Sequence, residues 1–194
     1  QVGEPAEISQ HLIPHPVVRM VTFTGSIPVG KKLAAMAAEY MKPVLMELLK
    51  RVDILMVNDS EARELSGDWN IHRAGRWILA HGPKRVVIKQ GEFGALLIEP
   101  GRTFYVPAFP LEEVFDPTGA GDAFAGGFMG YLARAGKADS DHLRRAMVYG
   151  AAMGSFAVSQ FGIRGFDEVT TVDVEKRVRA FYDLTHVAEA ERVP

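Results

Sequence analysis

The sequence predicts an α/β protein: a mainly parallel sheet flanked by helices, with a β-hairpin at one edge. Three observations carry this. Two short runs, Asp53 to Val57 (DILMV) and Arg85 to Lys89 (RVVIK), are apolar throughout rather than alternating, as strands covered on both faces are. Segments of helical spacing separate the strand-like runs, which is the pattern of a parallel sheet with crossover helices. Gly94 to Ile98 and Thr103 to Val106 flank Glu99-Pro100-Gly101-Arg102, a turn sequence that pairs them as the hairpin.

Taken in order, Val17 to Phe23 (VVRMVTF) is rich in β-branched residues and is broken by Thr24-Gly25-Ser26. Lys31 to Met41 then has helical apolar spacing, giving a strand, a turn and a helix. The hydrophobic segment Pro43 to Leu49 leads into the strand that ends at Asn58. Ser60 is placed to cap a short helix that Gly67 stops. Ile71 to Ala80 fits an amphipathic helix closed by His81-Gly82-Pro83. Beyond the hairpin the chain turns helical over Gly121 to Ala133, Ser140 to Gln160 and Val172 to Leu184, with loops at Gly136 and at Gly162 to Thr171.

Composition narrows the function classes. The 194 residues, 47% hydrophobic and 24% charged, suffice for one sizeable core. A formal charge of −2 with dispersed Lys and Arg gives no electrostatic footprint for nucleic acid or an anionic membrane surface. No cysteine is present, which excludes disulfides, thiolate metal sites and cysteine nucleophiles. No run approaches the ~20 apolar residues of a membrane span, and Gln1 to Gln10 is not signal-like, so a cytoplasmic protein is expected. His11, His15, His72, His81, His142 and His186 share no ligand spacing, and Trp69 and Trp77 read as packing anchors.

The chemistry concentrates in Asp116-Pro117-Thr118-Gly119-Ala120-Gly121-Asp122, just ahead of an Ala/Gly-rich helix. Small residues at a helix start leave backbone N–H groups without intrahelical acceptors, facing the positive end of the helix dipole. Such a cradle suits the oxygens of a transferring phosphoryl group, and Asp122 follows it as a proton acceptor. Alone, GAGD is equally a tight turn and a helix cap.

The stretch, with its two aspartates, resembles the C-terminal signature of the ribokinase-like (PfkB-type) carbohydrate kinases. Asn58-Asp59-Ser60-Glu61 resembles the N-x-x-E element of that family, and Lys89-Gln90-Gly91-Glu92-Phe93-Gly94 its strand-to-turn element against the nucleotide. The resemblance implies a ribokinase-like C-terminal half, ATP and Mg²⁺ as cofactors, and a small-molecule sugar or nucleoside as acceptor. It makes Asp122 the base and assigns the phosphoryl-binding N–H groups to Gly119, Ala120 and Gly121. Asn58 and Glu61 would organise Mg²⁺ through water, while Lys89, Gly91 and Gly94 would line the nucleotide. Asp116 and Thr118, with the Phe161-Gly162-Ile163-Arg164-Gly165 loop, are similar to a monovalent-cation (K⁺) site. Many relatives pair through a lid, so a homo-oligomer is compatible with the family.

Only 57 residues precede Asn58, where this family has well over a hundred, so the acceptor-binding half is expected to be missing. Residues 5–48 instead resemble the cofactor-binding segment of aldehyde dehydrogenases, through VVRMVTFTGSIPVGKKLA and KPVLMEL. Phe23-Thr24-Gly25-Ser26 with Gly30 would be its dinucleotide-binding turn, and Glu47 stands at its general-base position. Leu48-Leu49 replaces a Gly-Gly pair and the nucleophilic cysteine is lacking, so dehydrogenase chemistry is not expected. The resulting expectation is a chimera, with a dehydrogenase-like segment 1–48 joined near Met46 to Lys50 to a kinase portion 49–194.

Overall fold

The computed structural model describes residues 49–161, 164 and 166–186. The expected strand-turn-helix of Val17 to Met41, and residues 1–48 as a whole, lie outside them. Two compact units partition the chain, and the architecture below belongs to the one built from Ile54–Ala80 and Lys84–Pro194.

Its elements are β1 (Ile54–Asn58), α1 (Asp59–Ser66), α2 (Ile71–Ala80), β2 (Arg85–Lys89), a 3₁₀ turn (Gly91–Phe93), β3 (Ala95–Glu99), β4 (Arg102–Val106), α3 (Ala120–Ala135), α4 (Ser140–Ala157) and α5 (Thr171–Thr185). The four strands form one sheet in chain order. β1 and β2 are parallel, joined through the α1–α2 crossover, while β2–β3 and β3–β4 are antiparallel. The α/β class and the edge hairpin are as expected, but the sheet over the described strands is mixed rather than mainly parallel. The reason is local: the short Gly91–Phe93 connection reverses the chain between β2 and β3, as Glu99-Pro100-Gly101-Arg102 does between β3 and β4, and such short connections join antiparallel neighbours.

Strand pleating sorts side chains to two faces with period two. Val86, Ile88, Leu96 and Ile98 point to one side, where they bury Ala62, Ala74 and Ile78 of α1 and α2. Val87, Ala95, Leu97 and Val106 point to the other and meet Phe124 and Phe128 of α3, Met147 and Ala152 of α4, and Val178 and Phe181 of α5. Apolar runs without alternation are therefore the signature of a sheet with helices on both faces. At about 1.5–3 kcal/mol per fully buried large apolar side chain, these two clusters supply the main drive to fold. Trp69, expected as an anchor, is 86% exposed and lies under the Arg63 guanidinium at 5.7 Å, whereas Trp77 does pack on the α1–α2 cluster. Among the described residues no helix is long and apolar enough to cross a membrane.

Candidate active site

The strand register brings the three sequence elements together. Asn58 and Lys89 are Cα partners at the last pair of parallel strands β1 and β2, so both emerge at the carboxyl end of the sheet. Ligands of open α/β sheets bind at that end. The start of α3 arrives at the same place: a Cβ built on Gly121 would lie 2.7 Å from Lys89 Nζ. Residues from the Asn58, Lys89 and Gly119–Asp122 segments thus meet around one point.

The α3 start is shaped by its loop. Asp116 Oδ1 accepts the Thr118 N–H at 2.9 Å, and the Phe115 N–H donates to Val158 O at 2.9 Å, tying the loop to the end of α4. Gly119 then takes φ +81°, a left-handed conformation that only glycine adopts cheaply, and a Cβ there would meet nothing within 4 Å. The Ala120 N–H donates to Pro117 O at 3.3 Å, and the Ala123 N–H to Gly119 O at 2.9 Å. Among the described residues, no acceptor faces the N–H groups of Gly119, Gly121 or Asp122. The open donors are therefore these three, with Ala120 engaged in the turn rather than in the cradle as expected from the sequence. They suit an anion: unfilled donors, with the positive pole of a 16-residue helix behind them. The Asp122 carboxylate is exposed beside them, pointing into neither core cluster.

Asn58 and Glu61 form a reciprocal cap. Asn58 Oδ1 accepts from the Glu61 N–H at 2.7 Å and from the Ser60 hydroxyl at 2.8 Å, while the Asn58 N–H donates to Glu61 Oε2 at 2.8 Å. The N-cap of α1 is thus Asn58, not Ser60 as its position in the sequence suggests, because Asn58 reaches the third N–H of the helix. Glu61 Oε1 has no partner among the described residues, leaving one carboxylate oxygen for a hydrated cation. No cluster of three or more acidic or histidine side chains is gathered for a metal among the described residues, so a divalent ion here would lean on water and phosphate oxygens.

The Gly91–Gly94 turn is explained partly by the chain itself. Gly94 has φ +90°, and a Cβ there would lie 2.1 Å from Val106 O, so its glycine is required by β4, whatever else approaches. Around Gly91 there is nothing within 4 Å, so that side of the turn is open. Of the expected monovalent-cation loop, Gly162, Ile163 and Gly165 lie outside the described residues. Phe161 is described: it meets Phe115 edge-on with centroids 6.5 Å apart, both rings more than half exposed beside Asp116. The sequence reading did not single out Phe115; an aromatic immediately before the Asp116 turn was the available signal.

The layered sheet, its edge hairpin and the helix start at the strand ends define a ribokinase-like α/β protein, the fold of the solved structures it is similar to. More particularly, the chain belongs to the pfkB family of carbohydrate kinases, whose model matches residues 29–169. That match begins inside the 1–48 segment assigned above to a dehydrogenase-like piece. A cytidine kinase of Thermococcus kodakarensis is 42% identical over 100 residues, 50% of this chain and 36% of that one. The structure of aminoimidazole riboside kinase from Salmonella enterica, in complex with aminoimidazole riboside and an ATP analog, superposes with a TM-score of 0.66 at 28% identity. That superposition covers 75% of this chain and 49% of the other. A 4-(hydroxymethyl)benzenesulfonate dehydrogenase of Comamonas testosteroni is 34% identical over 165 residues, 82% of this chain and 32% of that one. The chain spans between about a third and a half of the length of these proteins.

Proposed function

We propose that the chain carries the ATP-dependent phosphoryl-transfer portion of a small-molecule kinase whose acceptor is a hydroxyl of a sugar or nucleoside. The observation that supports this most is the meeting of Asn58, Lys89 and Gly121 at one end of the sheet, in front of unfilled N–H donors. In the reaction the acceptor oxygen bonds the terminal phosphorus as the bond to ADP breaks, and ADP leaves with the electron pair. Asp122 takes the acceptor proton, which its exposed position beside the cradle allows. The N–H groups of Gly119, Gly121 and Asp122 donate to the phosphoryl oxygens on which charge spreads, and they need no reorganisation to do so. Ala120 holds the turn that aims them.

Mg²⁺, when bound, neutralises phosphate charge. Glu61, through its second carboxylate oxygen, and Asn58 would hold the water shell of that ion, while Gly91 and Gly94 with Lys89 form the nucleotide side. Asp116 and Thr118 would frame K⁺.

The test is ADP release across a panel of sugars and nucleosides, with ribosides first because the two similar kinases are named for ribosides. Turnover with at least one acceptor would mean that this chain holds an acceptor site as well as the phosphoryl-transfer site. Asp122→Asn should lower kcat by about 10²–10⁴-fold while leaving ATP affinity within a few-fold. Equal rates in parent and variant would remove Asp122 from the mechanism. ATP binding without turnover on any acceptor would reduce the assignment to a nucleotide-binding module.

A further inference from the structure

Lys89 stands where electrostatics alone would not put a cation. Its ammonium lies against Gly121, in the first turn of α3, where the helix dipole presents its positive pole. Among the described residues no carboxylate pairs with it. A half-buried lysine with a flexible four-carbon stem could swing into water. Lysine held at a repulsive site with no partner is what a phosphate-binding cation looks like before its anion arrives.

We infer that Lys89 binds the terminal phosphoryl group, the one that is transferred, rather than the nucleoside end of ATP. The inference rests on the kinase reading and adds a role within it. The argument is one of position. Asp122 must reach the attacking hydroxyl, which lies in line with the terminal phosphorus, and Gly121 is its immediate neighbour in the chain. A cation touching Gly121 is therefore beside the transferring group, whereas the Gly91 turn lies further along the chain from the same strand end. Gly121 has a matching task. A methyl group there would be 2.7 Å from Nζ, and because Nζ ends a flexible chain, the alanine would displace the ammonium without breaking the fold.

Calorimetric titration of the full chain with ATP·Mg²⁺ and ADP·Mg²⁺ tests this, using the parent, Lys89→Met, Lys89→Arg and Gly121→Ala. Lys89→Met should lose about 10–100-fold in affinity for ATP and at least several-fold less for ADP. Lys89→Arg should recover part of the loss, and Gly121→Ala should reproduce it. The nucleotide-free Lys89→Met protein should melt no lower than the parent, since a repulsion with the helix pole is removed. Equal losses for ATP and ADP, no loss for ATP, or a Lys89→Met protein melting several degrees lower would each overturn the inference while leaving the kinase reading intact. Should Lys89→Met fail to fold, that too would mark a structural lysine. Failure of the parent to bind ATP·Mg²⁺ would instead remove the kinase reading and this inference together.

Discussion

Glu61 illustrates how one side chain can satisfy two accounts at once. Its Oε2 caps α1 through the Asn58 N–H, which accounts for the Asn-x-x-Glu spacing without any ligand, and its Oε1 remains open. Substitutions separate the roles. Glu61→Gln keeps an oxygen for the cap and removes the charge, so the melting temperature should shift by about 1–2 °C at most, the effect of a few tenths of a kcal/mol. The Mg²⁺ concentration that half-maximally supports ATP binding should rise severalfold; an unchanged Mg²⁺ dependence would confine Glu61 to its structural task. Asn58 and Glu61 were legible in the sequence through the resemblance of Asn58-Asp59-Ser60-Glu61 to the N-x-x-E element, whereas their capping box was not, since Ser60 is an equally good cap by residue type and only the backbone geometry selects Asn58. Gly119 was legible too, as a small residue before a helix. The contact of Lys89 with Gly121 was not, since it depends on the β1–β2 register and on the path of the loop before α3, neither of which leaves a local pattern.

Most elements stood within a few residues of their expected bounds, because both-face burial and helical spacing are strong signals: Arg85–Lys89 and Ile71–Ala80 match their expected bounds. Helix-helix approach is less visible. Gly127 and Gly130 read alike in sequence, yet a Cβ on Gly127 would lie 2.7 Å from the Tyr149 carbonyl oxygen of α4, while Gly130 faces open space. Opposite signs are therefore expected from one substitution type. Gly127→Ala should destabilise by about 1–3 kcal/mol through a backbone clash that cannot relax cheaply, and Gly130→Ala should stabilise by about 0.5–1 kcal/mol through helix propensity. Thermal melts of both variants check this. The caps also set a pH response. Side-chain and backbone bonds at Thr170 hold the Asp173 carboxyl below the usual aspartate range. The N–H and ring of His142 do the same for Asp139. A depressed folded-state pKa contributes stability above the unfolded value, and that stability is lost as pH falls through the folded one. The melting temperature should thus decline below about pH 4. The decline should be shallower in an Asp139→Asn, Asp173→Asn double variant.

At the scale of the whole chain, two resemblances imply two different nucleotides. The pfkB match covers residues 29–169 and includes every described element from β1 to α4, with α5 just beyond it, whereas the dinucleotide turn at Phe23 to Ser26 lies outside the described residues. The two resemblances overlap over residues 29–48: the pfkB match begins at residue 29, and the dehydrogenase-like segment runs to residue 48. Ligand linkage decides between them without requiring turnover or a known acceptor. A ligand that binds only the folded chain at a hundred times its Kd adds about 2.7 kcal/mol of stability. For a protein of this size, that corresponds to a rise in melting temperature of roughly 5–10 °C. ATP·Mg²⁺ should produce that rise and NAD⁺ none. Asp122→Asn should keep it, because the carboxylate acts on the acceptor proton and not on the nucleotide, and Lys89→Met should lose part of it. A rise with NAD⁺ and none with ATP·Mg²⁺ would mean that the open amides before α3 hold no phosphate chain, and the kinase assignment of this chain would fall with them.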